Sequence, residues 1–214
     1  MKKIISFSLW GDNPKYTIGA IKNAELAKTL YPDWVCRYYI GKSTPIEIIN
    51  QLKSFDNTEV IEMEEEGNWL GMFWRFYAAS DETVDIMVSR DCDSRLNLRE
   101  KLAVNEWLES SCSFHIMRDH PYHQTEILGG MWGVKNPKLK EMKNLIDKFE
   151  KKNELWTDQI FLRHDIFPLI KNDCMVHDEF FQHIKFPSIR EGKQFVGEAF
   201  DENDNPNIEH RSLI

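Results

Sequence analysis

Two aspartates two positions apart stand in the run Ser89-Arg90-Asp91-Cys92-Asp93-Ser94-Arg95, directly after the apolar stretch Ile86-Met87-Val88. Like charges this close repel unless a cation lies between them. Paired carboxylates suit a hard divalent ion such as Mg2+ or Mn2+, which also takes oxygens from a bound phosphate. Ligands of an open α/β sheet collect outside the carboxyl ends of its strands, where an acid pair closing a strand would sit. Asp91 and Asp93 are therefore candidate metal ligands. The alternative is an ion-pair network with Arg90, Arg95 and Arg99.

Other polar groups stand in unusual company. Arg75 is the lone cation of the aromatic run "WLGMFWRFYAA", either a site residue or a snorkelling one. Gly129 and Gly130 in "ILGGMWGV" mark a place where something approaches the backbone closely, or a bulge. In "LWTDQIFL", Thr157 reads as a helix N-cap, and Asp158 and Gln159 open the helix, where a carboxylate also favours the dipole. His177 follows an apolar segment near the end of the chain, where a lone histidine is more often structural. His115, Asp119, His120 and His123 cluster around "RDHPYHQ", a polar loop placed to contact a second substrate, with no thiol spacing to support zinc.

The elements that must carry these groups alternate. A strand at residues 3–9, a helix from Lys15 to Leu30, a strand at Val35–Ile40, a helix opened by Thr44-Pro45 and a short strand at 60–63 predict a parallel sheet with right-handed crossovers. An aromatic helix over 69–79, the strand before the acid pair, a helix at 98–109 and strands at 113–117 and 127–134 follow. Helices over Pro137–Lys152 and Thr157–Asp165 and a buried segment at 174–176 complete the pattern. The expected fold class is α/β: an open, mostly parallel, twisted sheet flanked by helices, in one domain over residues 1–200. Residues 201–214 have the composition of a tail or linker, so the chain could be the N-terminal domain of something longer.

Composition bounds the function. With 42% hydrophobic and 29% charged residues, the 214-residue chain is balanced as a soluble globular domain. A net charge of -8 argues against a nucleic-acid partner. The first ten residues resemble a signal peptide only briefly and read better as a strand, and no stretch approaches the roughly 18 apolar residues of a membrane span. Cys36, Cys92, Cys112 and Cys174 form no C-x-x-C pair, which suggests a reducing, cytoplasmic setting.

The strand followed by D-x-D, with the later matches, resembles the nucleotide-sugar-dependent glycosyltransferases of the GT-A fold over roughly Lys3 to Phe200. The resemblance implies Mn2+ or Mg2+ on Asp91, Asp93 and His177, with Asp91 also serving the donor. It implies a nucleotide cradled by Ser8, Leu9, Trp10 and Gly11, with Arg75 lending a basic group. Gly129, Gly130 and Trp132 would line the donor and acceptor pocket, and Asp158 and Gln159 would face the donor sugar, Asp158 as the catalytic carboxylate. The implied activity is transfer of a hexosyl or deoxyhexosyl group from a donor such as a UDP-sugar to a glycan acceptor, with a lean to retention from the D-Q pair. Two other readings stay open: a metal-dependent nucleotidyltransferase, disfavoured by the lack of a Gly-rich loop after the first strand, and a non-catalytic glycan-binding module using its tryptophans as stacking platforms.

Overall fold

The computed structural model describes residues 1–135 and 138–214. Among them the strands β1 (Lys3–Leu9), β2 (Val35–Ile40), β3 (Thr58–Glu62), β4 (Ile86–Ser89), β5 (Phe114–Arg118), β6 (Trp132–Lys135) and β7 (Cys174–Asp178) form one sheet in the order β3-β2-β1-β4-β6-β5-β7. All neighbours are parallel except β6, which runs antiparallel to both β4 and β5. This is the expected open, mostly parallel α/β sheet, with one reversed strand in its middle.

Side-chain alternation divides the core between the two faces. Ile5, Phe7 and Leu9 of β1 pack with α1 (Pro14–Leu30) and α2 (Ile46–Lys53) on one face, joined there by Trp107 of α3 (Leu98–Glu109). Ile4 and Met87 face the other way, against the aromatic run, α4 (Met142–Lys148), α5 (Thr157–Phe161) and α6 (Phe167–Ile170). The same alternation sends Ser6 and Ser8 toward the aromatic run, where they become important.

That run, Trp69–Ser80, is a 3₁₀ helix and not the α-helix its length suggests. Three residues per turn stack Phe73, Phe76 and Ala79 in one buried stripe. Asn68 caps it by accepting the Leu70 amide at 2.8 Å.

Other boundaries differ from expectation. Residues 127–131 are irregular, with a turn at Gly129-Gly130, and only Trp132–Lys135 is strand, because the glycine pair curls around side chains described below. The helix expected over Pro137–Lys152 is confined to Met142–Lys148, and Pro137 lies outside the described residues. The helix opened at Thr157 widens into a π turn at Leu162–Ile166 before α6, where Pro168 lacks the amide that a regular ladder needs. Trp156, not Thr157, occupies its N-cap position, and Pro45 likewise precedes α2 instead of starting it.

Residues 201–214 lie against the body of the chain. Asp204 accepts from Lys22 at 2.5 Å and from Arg95 at 2.9 Å, and Arg211, in the short helix α7 (Ile208–Arg211), bonds the buried Glu198. No helix of the described residues is long and apolar enough to cross a membrane.

Candidate functional site

Beyond β4 the chain turns, with the Ser94 hydroxyl donating to the Asp91 carbonyl at 2.9 Å. Helix α1 braces this turn. Asn23 donates to the Ser94 carbonyl at 2.8 Å and accepts from the Leu96 amide at 3.0 Å, and a side chain on Gly19 would overlap the Cys92 carbonyl. Cys92 is buried between the two acids and its thiol is pushed well up, by burial first and by the flanking carboxylates next. Asp91 and Asp93 thus sit on a splinted loop at the carboxyl end of the sheet.

The neighbouring arginines do not neutralise them, contrary to the ion-pair alternative. Arg90 is buried against Glu100 at 2.8 Å, Arg95 pairs with Asp204 at 2.9 Å, and Arg99 pairs with Asp119 at 2.9 Å. The counter-charges come from a distance in sequence: Arg75 contacts Asp91, and Lys15 contacts Asp93 at 2.7 Å. The Asp93 carboxyl is still lifted above the usual range, by burial first and then by the Asp91 charge, with Lys15 opposing.

Arg75 is the pin of the site. Its amide donates to the Ser8 hydroxyl at 2.9 Å, and its carbonyl accepts from the Ser6 hydroxyl at 2.6 Å, so β1 fixes its backbone from below. Its guanidinium reaches Asp91 on one side and Asp158 on the other, the latter at 2.8 Å, with Asp158 fully buried. Burial opposes its charge, and the two carboxylates outweigh that, holding it cationic. Burial also lifts the Asp158 carboxyl, with Arg75 pulling the other way.

The glycine pair explains how three charged groups fit. A Cβ on Gly129 would overlap the Arg75 guanidinium and the Asp158 carboxylate, and one on Gly130 would overlap the Asp91 carboxylate. The close approach read from the sequence is real, and what approaches is the chain's own machinery. Ser89 ties the turn down by donating to the Gly129 carbonyl at 2.7 Å.

Two clefts meet at this pin. One, of about 510 Å³, is walled by Ser8, Leu9, Trp10, Gly11, Asn13, Tyr16, Trp69 and Asp93. The other, of about 660 Å³, is walled by Gly129, Gly130, Asp158, Gln159, His120, Tyr122, His123, Trp156 and His210. Met72, Arg75 and Asp91 line both. Among the described residues, Arg75 Nε, Asp158 Oδ1 and Gln159 Oε1 are buried without a hydrogen-bond partner, which marks this junction as a place for polar ligand groups. Trp156 holds a left-handed backbone (φ 72°) at the mouth, a conformation a non-glycine residue adopts at a cost of order 1 kcal/mol.

Four expected participants are elsewhere, among them His115, which is buried on β5 against Trp107. His177 is on β7, three strands from β4 and so roughly 14 Å away across the sheet. Its buried ring bonds His115 at 2.8 Å and Glu106 at 3.3 Å, so it does not join Asp91 and Asp93. Trp132 is buried against Phe76 and lines neither cleft. Asp119 is also structural, clamped by Arg99 and Arg190. In exchange, the fold brings in residues the sequence did not single out: Lys15, Tyr16, Trp156 and His210.

The acid pair offers a hard divalent ion two oxygen donors beside a glycine that leaves room for Asp91, and each carboxylate already meets a cation, Arg75 or Lys15, that the ion would have to share it with. Among the described residues no group of three His, Cys, Asp or Glu side chains stands together to hold a metal. Asp91 and Asp93 would hold such an ion with the help of ligand oxygens.

No model of a known protein family matches the chain, and no curated protein sequence does. Solved structures do. A glycosyltransferase involved in glycosylation of the major capsid of PBCV-1 aligns at 20% identity over 83% of this chain and 82% of that one, with a TM-score of 0.50. A mannosyltransferase from Pyrobaculum calidifontis, in complex with GDP-Man and Mn2+, aligns at 13% identity over 66% of this chain and 46% of its own, TM-score 0.50. A 4-diphosphocytidyl-2C-methyl-D-erythritol synthase from Anaerococcus prevotii aligns at 12% identity over 87% of this chain and 93% of that one, TM-score 0.53.

Proposed function

We propose that this chain, which has the GT-A fold, is a metal-dependent glycosyltransferase that moves a sugar from a nucleotide-diphosphate donor to a glycan acceptor. The observation that carries the reading is the Arg75 bridge: it joins the acid pair to Asp158 where a nucleotide-sized cleft meets a second cleft open to an acceptor. The nucleotide belongs in the cleft walled by Trp10 and Tyr16, the diphosphate beside Asp91 and Asp93, and the acceptor in the cleft walled by Tyr122 and Trp156.

The chemistry follows from charge. Breaking the bond between the anomeric carbon and the diphosphate develops negative charge on the leaving group and positive charge on the sugar ring. A divalent ion on Asp91 and Asp93 supplies stabilisation of the leaving diphosphate when bound. Asp158 answers the opposite charge, its carboxyl held by the Arg75 guanidinium and by the Gln159 amide at the start of α5. A carboxylate so fixed and buried is better placed to support an oxocarbenium-like ring than to take a proton; the acceptor oxygen then bonds the anomeric carbon as the departing diphosphate oxygen takes the hydroxyl proton, which favours retention. A UDP-sugar is the first donor to test, and the GDP-Man of the Pyrobaculum enzyme puts GDP-sugars on the same panel.

Nucleotidyl transfer is the second reading, because the erythritol synthase has the same fold. Against it, the loop after β1 offers Trp10-Gly11-Asp12, with a single glycine where several phosphate-gripping glycines would be needed. A panel of nucleotide sugars incubated with Mn2+ decides the matter. Release of the nucleoside diphosphate, absent in Asp93→Asn, supports the transferase; release of pyrophosphate from a nucleoside triphosphate, or turnover of no donor, rejects it.

A further inference from the structure

The acid pair is not bare: a lysine already occupies part of the cation's place. Lys15 Nζ lies 2.7 Å from Asp93 Oδ2, the lysine side chain about one third exposed and Asp93 mostly covered. Lys15 is the second residue of α1, two positions after the N-cap Asn13, whose side chain accepts the Lys15 amide at 3.0 Å, and directly before Tyr16. Asn13 and Tyr16 both wall the nucleotide cleft. The Lys15 ammonium also stands 5.2 Å from the centre of the Tyr16 ring, so it is held between the acid and a wall of that cleft. Arg75, by contrast, is buried and bonded on both sides, to Asp91 and to Asp158.

We infer that Lys15 is a displaceable counter-ion: it holds Asp93 while the site is empty, yields that carboxylate to a divalent ion, and then takes the phosphates of the nucleotide as its new partner. This rests on the reading above that Asp91 and Asp93 hold the ion. The consequence is energetic coupling between two ligands. A metal ion arriving alone must break the Lys15–Asp93 pair and leave an ammonium unpaired near a second cation. A metal ion arriving with a diphosphate gives the displaced ammonium an anion to meet. Metal and nucleotide therefore bind cooperatively, and by linkage each strengthens the other by the same factor. Replacing Lys15 with a neutral residue relieves the metal of its competitor and the nucleotide of a cation, so metal alone binds tighter and the coupling shrinks. A partly exposed ion pair sets the scale at about fivefold.

Manganese binding read by loss of the free-ion electron paramagnetic resonance signal, with and without UDP, tests this in wild type, Lys15→Gln, Lys15→Arg and Asp93→Asn. The inference expects Mn2+ alone to bind Lys15→Gln about fivefold more tightly than wild type, UDP to enhance Mn2+ binding less in that variant, and Lys15→Arg to restore the wild-type pattern. Equal metal affinity and equal UDP enhancement in wild type and Lys15→Gln, both lost in Asp93→Asn, would overturn the role of Lys15 and leave the metal site standing. No Mn2+ binding by any of the four proteins, with or without UDP, would overturn both.

Discussion

Replacing Arg75 by methionine is the sharpest test of how the site is held together. Methionine keeps most of the volume and removes the charge. Asp158 would then be a fully buried carboxylate with no cation beside it, and Asp91, about 40% exposed at its side chain, would fall back on solvent. Stranding one partner of a buried ion pair costs about 3–5 kcal/mol. For a chain of this length each kcal/mol moves the thermal midpoint by about 2–4 °C, so the variant should melt about 6–20 °C lower at neutral pH. The pH dependence carries a sign. Burial already lifts the Asp158 carboxyl and Arg75 opposes the lift, so removing Arg75 raises it further. A carboxyl raised in the folded state contributes stability that is present below its unfolded value and lost as pH rises through its folded one. The deficit of Arg75→Met should therefore shrink as the pH is lowered from 7.5 towards 5. The double variant with Asp158→Asn should be more stable than Arg75→Met alone, because the stranded charge is gone. Thermal melts followed by circular dichroism read all three effects. A deficit below about 1 kcal/mol that ignores pH, or a double variant less stable than the single one, would refute the reasoning.

Three further outcomes follow from the same geometry. Gly130→Ala places a methyl group in the Asp91 carboxylate, so UDP affinity in Mn2+ should fall at least about tenfold by calorimetry while stability falls by no more than about 2 kcal/mol. Asp158→Asn should slow donor turnover at least about 100-fold and leave UDP affinity in Mn2+ within about threefold, because the role proposed for Asp158 is at the ring and not at the diphosphate. Burial, with His177 next, holds the His115 imidazole well below its ordinary value, so stability from this group is present above about pH 6.5 and lost as pH falls; His115→Gln should flatten that loss by up to about 1.4 kcal/mol per pH unit in urea titrations between pH 6.5 and 5.

What could be read from the sequence was local. The strand-helix alternation through β3 was legible because each element carries its own periodicity and breakers. The acid pair was legible because its strand precedes it directly. Partner choice was not: Arg90, Arg95 and Arg99 lie within eight residues of the acids yet bond Glu100, Asp204 and Asp119, while the true partners Arg75 and Lys15 come from other elements. Only the tertiary fold decides which long side chains meet. His177 was misplaced for a related reason, since a position after a late strand does not reveal that β7 joins the sheet at its far edge beyond β5. The antiparallel insertion of β6 has no short-range signature either, although the glycine pair before it correctly announced a close approach.

Calorimetric titration of UDP into the protein with Mn2+ and again with EDTA reaches the central claim most directly. The account predicts binding with the metal, little or none without it, and loss of the metal-dependent heat in Asp93→Asn with the fold intact. Equal affinity in both buffers, or no affinity for the nucleotide beside metal-independent binding of a glycan, would contradict it.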